Sequence, residues 1–205
     1  MKLTNRWNQF IYRLWSPVYD SVLEKSFRAG RERSIALLDL KPGERVLLVG
    51  VGTGIDLPLL PPGVRALGVD LTPAMLARAL AKLPLPGRDV VLQLGDAQSL
   101  PVKSGAFDAV ILHLILAVVP DGAACLREAL RALRPGGRAA VFDKFLPKDE
   151  TVTMGRKALN VATTLIGTDI NRRFEDLARG ADCEVVCNEP SVMGGVYRVI
   201  QLRRR

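Results

Sequence analysis

A short apolar run that ends in three glycines spaced two apart, VLLVGVGTGI over residues 46–55, constrains this chain more than any other feature. A β-branched and leucine run of this length predicts a buried strand. Glycines let the backbone turn sharply and approach a ligand closely. Gly50, Gly52, Thr53 and Gly54 are therefore candidate cofactor-binding residues, and the loop points to a nucleotide-like ligand.

The chain around this loop alternates strand with helix. Strands are expected at 45–49, 64–70, 89–94, 107–112 and 138–142. Between them, Thr72 and Pro73 open a helix that runs toward Leu83, as a hydroxyl cap followed by proline should. Asp121 opens another through Leu133, closed by Arg134-Pro-Gly-Gly137. Upstream, residues 21–40 read as a helix; downstream, helices are expected at 153–166 and 169–179. Two final strands, 183–187 and 196–202, are joined closely enough to pair antiparallel. The alternation predicts an α/β doubly wound parallel sheet with helices on both faces. Ligands on such sheets bind beyond the carboxyl ends of the strands, where strand order reverses.

Four groups fall at those ends: the glycine loop, Asp70, Asp96 and His113. Asp70, twenty residues after Gly50, can accept hydrogen bonds from both hydroxyls of a ribose. Asp96 can accept from an adenine amino group while the Ala97 N–H meets a ring nitrogen. Leu71 and Met75 can pack on the base or belong to the core. A dinucleotide would suit the same acids, but its Gly-x-Gly-x-x-Gly fingerprint places the third glycine one residue later than Gly54.

These motifs, with Phe107-Asp108-Ala-Val and Leu133-Arg-Pro-Gly-Gly137, resemble in order and spacing those of the class I S-adenosylmethionine-dependent methyltransferases. The resemblance implies S-adenosyl-L-methionine as cofactor. It also implies a Rossmann-like seven-stranded sheet of order 3-2-1-4-5-7-6 with strand 7 antiparallel. One position departs: Leu48 stands where the family carries an acid that organises the methionine end of the cofactor. A narrower resemblance joins Tyr12-Arg-Leu-Trp-Ser-Pro-Val-Tyr19-Asp20 to Val49–Gly54 and Val118-Val119-Pro120-Asp121. It is to bacterial phosphatidylethanolamine N-methyltransferases, relatives of the quinone-biosynthesis methyltransferases. It implies a phospholipid amine as acceptor, with a quinone or other small molecule as the alternative. A non-catalytic cofactor- or membrane-binding protein is the reading from another class.

Methyl transfer asks the protein to align an acceptor lone pair and exclude water. An amine acceptor must also arrive unprotonated or meet a base. His113, the single histidine, is the candidate base, and Tyr19 the candidate that orients the acceptor. Either can instead be a packing residue, the reading favoured for His113. Arg172 and Arg173 are candidates for a lipid phosphate, against a solvated helix face.

Residues 5–23 place Trp7, Phe10, Ile11, Leu14, Trp15, Val18 and Tyr19 at three- and four-residue steps. Asn5, Arg6, Asn8, Gln9 and Arg13 fill much of the other side, giving an amphipathic helix broken near Pro17. Such a helix can dock on the core, close over the site or lie on a membrane surface. The formal charge of +8 suits an anionic partner, an anionic membrane among them, and equally suits a solvated surface. Nucleic acid is not the expected partner, since no appended RNA-binding segment is evident. No apolar run reaches the roughly 18 residues of a membrane span, and the N-terminus lacks the apolar core of a signal peptide. The chain is thus expected to be one cytoplasmic domain over 1–205, with peripheral contact at the inner membrane face through residues 1–23. Three cysteines with one histidine do not compose an ordinary zinc site, so no metal is expected.

Overall fold

A computed structural model describes residues 4–5, 27–146, 168 and 170–205. The expected helix at 153–166, and all but Asn5 of the amphipathic stretch at 5–23, lie outside the described residues.

A helix described over 27–37 (α1) leads into β1 (Arg45–Val49). After the glycine loop come a 3-10 turn at Leu57–Leu59, β2 (Arg65–Asp70), α2 (Pro73–Leu80) and β3 (Asp89–Leu94). There follow β4 (Phe107–His113), α3 (Gly122–Ala132), β5 (Leu133–Lys144), α4 (Phe174–Leu177), β6 (Cys183–Pro190) and β7 (Tyr197–Arg204). The seven strands form one sheet of order β3-β2-β1-β4-β5-β7-β6. β1 runs parallel to both β2 and β4, and β7 antiparallel to both β5 and β6, as the resemblance implied.

Period-two alternation divides the core. Val46 and Leu48 of β1 join Ile111 of β4, Ile35 of α1 and Leu38 just after it on one face. Leu47 and Val49 join Val110 and Leu112 of β4 and Cys125, Leu126, Ala129 and Leu130 of α3 on the other. All these side chains are buried. Burial is worth about 25 cal/mol per Å² of apolar surface, so the doubly covered central strands hold the sheet together. Strand order reverses between β1 and β4, and the loops beyond their carboxyl ends open into one cleft.

Three local readings are corrected. Thr72 does precede α2, but its hydroxyl makes no cap bond and turns to Asp70 instead. The Arg134-Pro-Gly-Gly137 turn ends α3 without ending regular pairing. β5 starts at Leu133 and absorbs the extra residues in a register shift opposite Phe107 and Ala109. The expected helix over 169–179 is confined to Phe174–Leu177. Asp121 does cap α3, accepting from the Ala124 N–H at 2.8 Å.

Candidate active site

The cleft encloses ≈ 690 Å³, its open mouth included, within the usual range for a small-molecule site. Gly50, Gly52, Asp70, Leu71, Asp96, Ala97 and His113 all line it. Thr53 and Gly54 do not: Thr53 is buried, and Gly54 is pressed against Leu57 and Ala79 behind the loop. Tyr19 lies outside the described residues.

The glycine loop is shaped by what each position faces. Gly50 has φ +71, and a Cβ there would strike Ile115 at 2.6 Å. Gly52 has φ +57, and a Cβ would meet nothing within 4 Å. That open space is the cleft itself. A backbone stripped of side chains at this point leaves room for a bulky ligand.

Asp70 closes the loop onto β2. Its Oδ2 accepts from the Gly52 N–H at 2.9 Å and its Oδ1 from the Thr72 N–H at 2.8 Å. The Thr72 hydroxyl and the Leu71 N–H bond the same carboxylate, which lines the cleft where a diol could reach it. Burial pushes the Asp70 carboxyl above its ordinary value, against the pull of those N–H groups. Beyond β3, Asp96 Oδ1 accepts from the Gln98 N–H at 2.9 Å. Met75 and Leu71 supply apolar wall between the two acids, and Val118 and Val119 complete the lining.

The other end of the cleft is built differently. His113 Nε2 meets Ser34 Oγ at 3.0 Å. Its Nδ1 stands 3.0 Å from Asp56 Oδ1, though angled away from a straight hydrogen bond. Arg31 Nη1 donates to both Asp56 oxygens, at 2.9 and 2.8 Å. All four residues are buried, with Arg31 only 4% and Asp56 6% exposed. Burial drives the Asp56 carboxyl up, but His113 and Arg31 outweigh it and hold the acid well below the usual carboxylate range. Leu48 lies on the same side of the sheet, buried against Ile111 and Leu38. Arg31, Ser34 and Asp56 escaped the sequence reading. A single acid inside the apolar run Ile55–Leu60 was the available signal.

The loop from Leu114 to Pro120, which walls this end, is fixed from below. The Leu114 N–H donates to the Phe142 carbonyl at 2.8 Å while Leu114 holds φ 55, a strained value for a non-glycine. Asp143 is fully buried and accepts from the Ala117 N–H at 3.0 Å. Arg172 donates to the Leu116 carbonyl and, at 3.0 Å, to that of Pro120. These bonds commit Arg172 to the loop rather than to a solvated face. Tyr197 packs on Phe27 at 4.6 Å, with Phe142 beside it. Burial and the nearby Asp143 push its phenol up to about 12.

A glycine loop with open space at its apex, followed by acids at the ends of the next two strands on a 3-2-1-4-5-7-6 sheet, defines a nucleoside-cofactor transferase site. The sequence comparisons give the family. Residues 47–141 match the family model described as a methyltransferase domain. The chain is 31% identical over 196 residues to a phosphatidylethanolamine N-methyltransferase of Cereibacter sphaeroides, covering 95% of this chain and 96% of that protein. It is 36% identical over 121 residues to a demethylmenaquinone methyltransferase of Beutenbergia cavernae, spanning 58% of this chain and about half (49%) of that protein. Among solved structures, an S-adenosylmethionine-dependent methyltransferase from Thermotoga maritima, described as a possible histamine N-methyltransferase, superposes with a TM-score of 0.70. It is 22% identical, and the match covers 96% of this chain and 99% of that one. The chain belongs to the S-adenosylmethionine-dependent methyltransferases, and S-adenosyl-L-methionine is its cofactor.

The cleft suits that cofactor. Its two acids are unpaired by any cation among the bonds described above, its floor at Gly52 is open, and its walls are apolar. Among the described residues no cluster of His, Cys, Asp and Glu could hold a metal, and no helix is long and apolar enough to cross a membrane. The three cysteines are free thiols.

Proposed function

We propose that this methyltransferase N-methylates the amine headgroup of a phospholipid, phosphatidylethanolamine in the first instance. The observation that carries the proposal is the extent of the match. Similarity to the lipid enzyme runs through 95% of the chain, whereas similarity to the quinone enzyme stops at 58%. The part matched only by the lipid enzyme includes chain outside the cofactor motifs.

In this reading Asp70 takes the ribose hydroxyls, Asp96 and the Ala97 N–H take the adenine, and Leu71 and Met75 flank the base. Gly50 and Gly52 give the methionine portion its space, with Thr53 and Gly54 holding the loop behind them. Bound there, S-adenosylmethionine supplies an electrophilic methyl group. The chain's own task is to exclude water and hold the acceptor nitrogen at the mouth beyond His113 and Leu114. The Leu114–Pro120 loop, fixed by Asp143 and Arg172, gives that mouth a rigid wall. Positioning of this kind can supply up to roughly 7–11 kcal/mol of barrier lowering. Tyr19 orients the acceptor, and His113 keeps the wall in place. The aromatic stretch over 1–23 and the +8 charge support peripheral contact with an anionic inner membrane face.

The test is a labelled-methyl assay with phosphatidylethanolamine vesicles and, separately, demethylmenaquinone. Label in the lipid amine is the expected result. Unlabelled vesicles in a preparation that binds S-adenosylhomocysteine would overturn the lipid acceptor. Label in the quinone alone would move the assignment to the second reading.

A further inference from the structure

Asp96, the acid that faces the adenine in the reading above, already carries a side-chain partner from the start of the chain. Asn5 Nδ2 donates to Asp96 Oδ2 at 2.6 Å, across 91 residues of sequence. Gln98 Nε2 donates to Asn5 Oδ1 at 3.1 Å and to Asp96 Oδ1 at 3.0 Å. Asn5 lines the same cleft as Gly52, Asp70 and Asp96.

The two oxygens of Asp96 are not equivalent. Oδ1 is committed to Gln98, through its backbone N–H and its side chain. Apart from Asn5, Oδ2 has only a longer contact, 3.4 Å, from Gln98. Oδ2 is therefore the oxygen left for a ligand, and Asn5 takes it from the cleft side. A primary amide presents a planar NH₂ beside an acceptor oxygen. The edge of adenine presents an amino group beside an acceptor nitrogen. The chemistry that Asp96 offers a base is thus the chemistry that Asn5 satisfies. Hydrogen bonds to an ionised acceptor are among the stronger ones, and 2.6 Å is short for one.

We infer that Asn5 is an intramolecular competitor of the cofactor's adenine at Asp96, so that cofactor binding expels residue 5 from the cleft. The inference rests on the placement of adenine at Asp96. By linkage the effect is reciprocal: whatever holds residue 5 away from Asp96 tightens the cofactor, and by the same factor the cofactor frees residue 5. Asn5 would then set how readily the site loads, without touching the reacting atoms.

Calorimetric titration with S-adenosylhomocysteine separates the possibilities, with wild type, Asn5→Ala, Asp96→Ala and the double variant. Asn5→Ala is expected to lower Kd about tenfold or more, the worth of one net hydrogen bond to a charged group. In the Asp96→Ala background the same change is expected to do nothing, because no carboxylate remains to compete for. Thermal unfolding without ligand checks that each variant is folded. A Kd for Asn5→Ala equal to or weaker than wild type, with the double variant weaker than Asn5→Ala, overturns the competition alone. A Kd for the double variant equal to that of Asn5→Ala overturns the adenine placement and the competition with it.

Discussion

At the Asp70 end of the cleft, carboxylates accept from neutral N–H groups; at the His113 end, acid and cation are matched against each other inside the protein. Asp70 accepts from the Gly52, Leu71 and Thr72 N–H groups and from the Thr72 hydroxyl. Asp56 spends both oxygens on Arg31 and has His113 alongside. The two acids are displaced in opposite directions: burial wins at Asp70, and the neighbouring cation and imidazole win at Asp56. On the proposed reading of the site, the difference separates a residue that waits for a ligand from one that holds architecture. Removing the first should cost binding, and removing the second should cost folding.

The largest effect is expected at Asp56→Asn. Taking the charge from one side of a buried pair strands Arg31 and costs about 3–5 kcal/mol, read as a fall in Tm. The sign with pH follows from the shift. The Asp56 carboxyl is held below its unfolded value, so its contribution is fully present above that value and is lost as pH falls toward the folded one. The gap between wild type and Asp56→Asn should be constant above about pH 4 and narrow below it. A gap that does not narrow on acidification would break the ion-pair account.

Asp70→Ala comes next. Losing two hydrogen bonds to a charged acceptor should weaken S-adenosylhomocysteine by about 100-fold or more, read by calorimetry. Asp56→Asn, where it remains folded, should stay within about threefold of wild type in the same titration. Equal losses at both acids would erase the division between the two ends.

The Asp70 end was legible in the sequence because its parts are local. β1, β2, β3 and β4 follow from apolar runs, and Gly50, Asp70 and Asp96 sit directly after them. The sheet order followed from the family resemblance, not from the runs themselves. The His113 end was hidden because its parts are distant: Ser34 and His113 are 79 residues apart, and Arg31 and Asp56 are 25 apart. Asp56 on its own is an ordinary loop acid. Only the fold shows that α1 covers the face of β1 and β4 that carries Leu48 and Ile111. β5 ran longer than expected for a related reason. Pro135, Gly136 and Gly137 punctuate the chain, yet the ladder with β4 resumes after a register shift. The pull of Asn5 onto Asp96 is likewise a contact between chain regions that no local pattern joins.

The smallest effect sharpens the comparison where it is most delicate, at His113. A lone histidine beside a methyl-acceptor site invites the role of general base, which is worth typically 10²–10⁴-fold. Here Nε2 meets Ser34 and Nδ1 stands against Asp56, so both nitrogens face protein groups rather than a substrate. His113→Gln should therefore lower kcat by less than about tenfold, in line with a misplaced wall rather than a lost proton acceptor. The slope of log kcat against pH should be the same as in wild type. A larger loss, accompanied by disappearance of a titrating limb from that profile, would place His113 with Asp70 among the groups kept free for the ligand. The loss should also be smaller in a Ser34→Ala background, because part of what the ring holds is already gone.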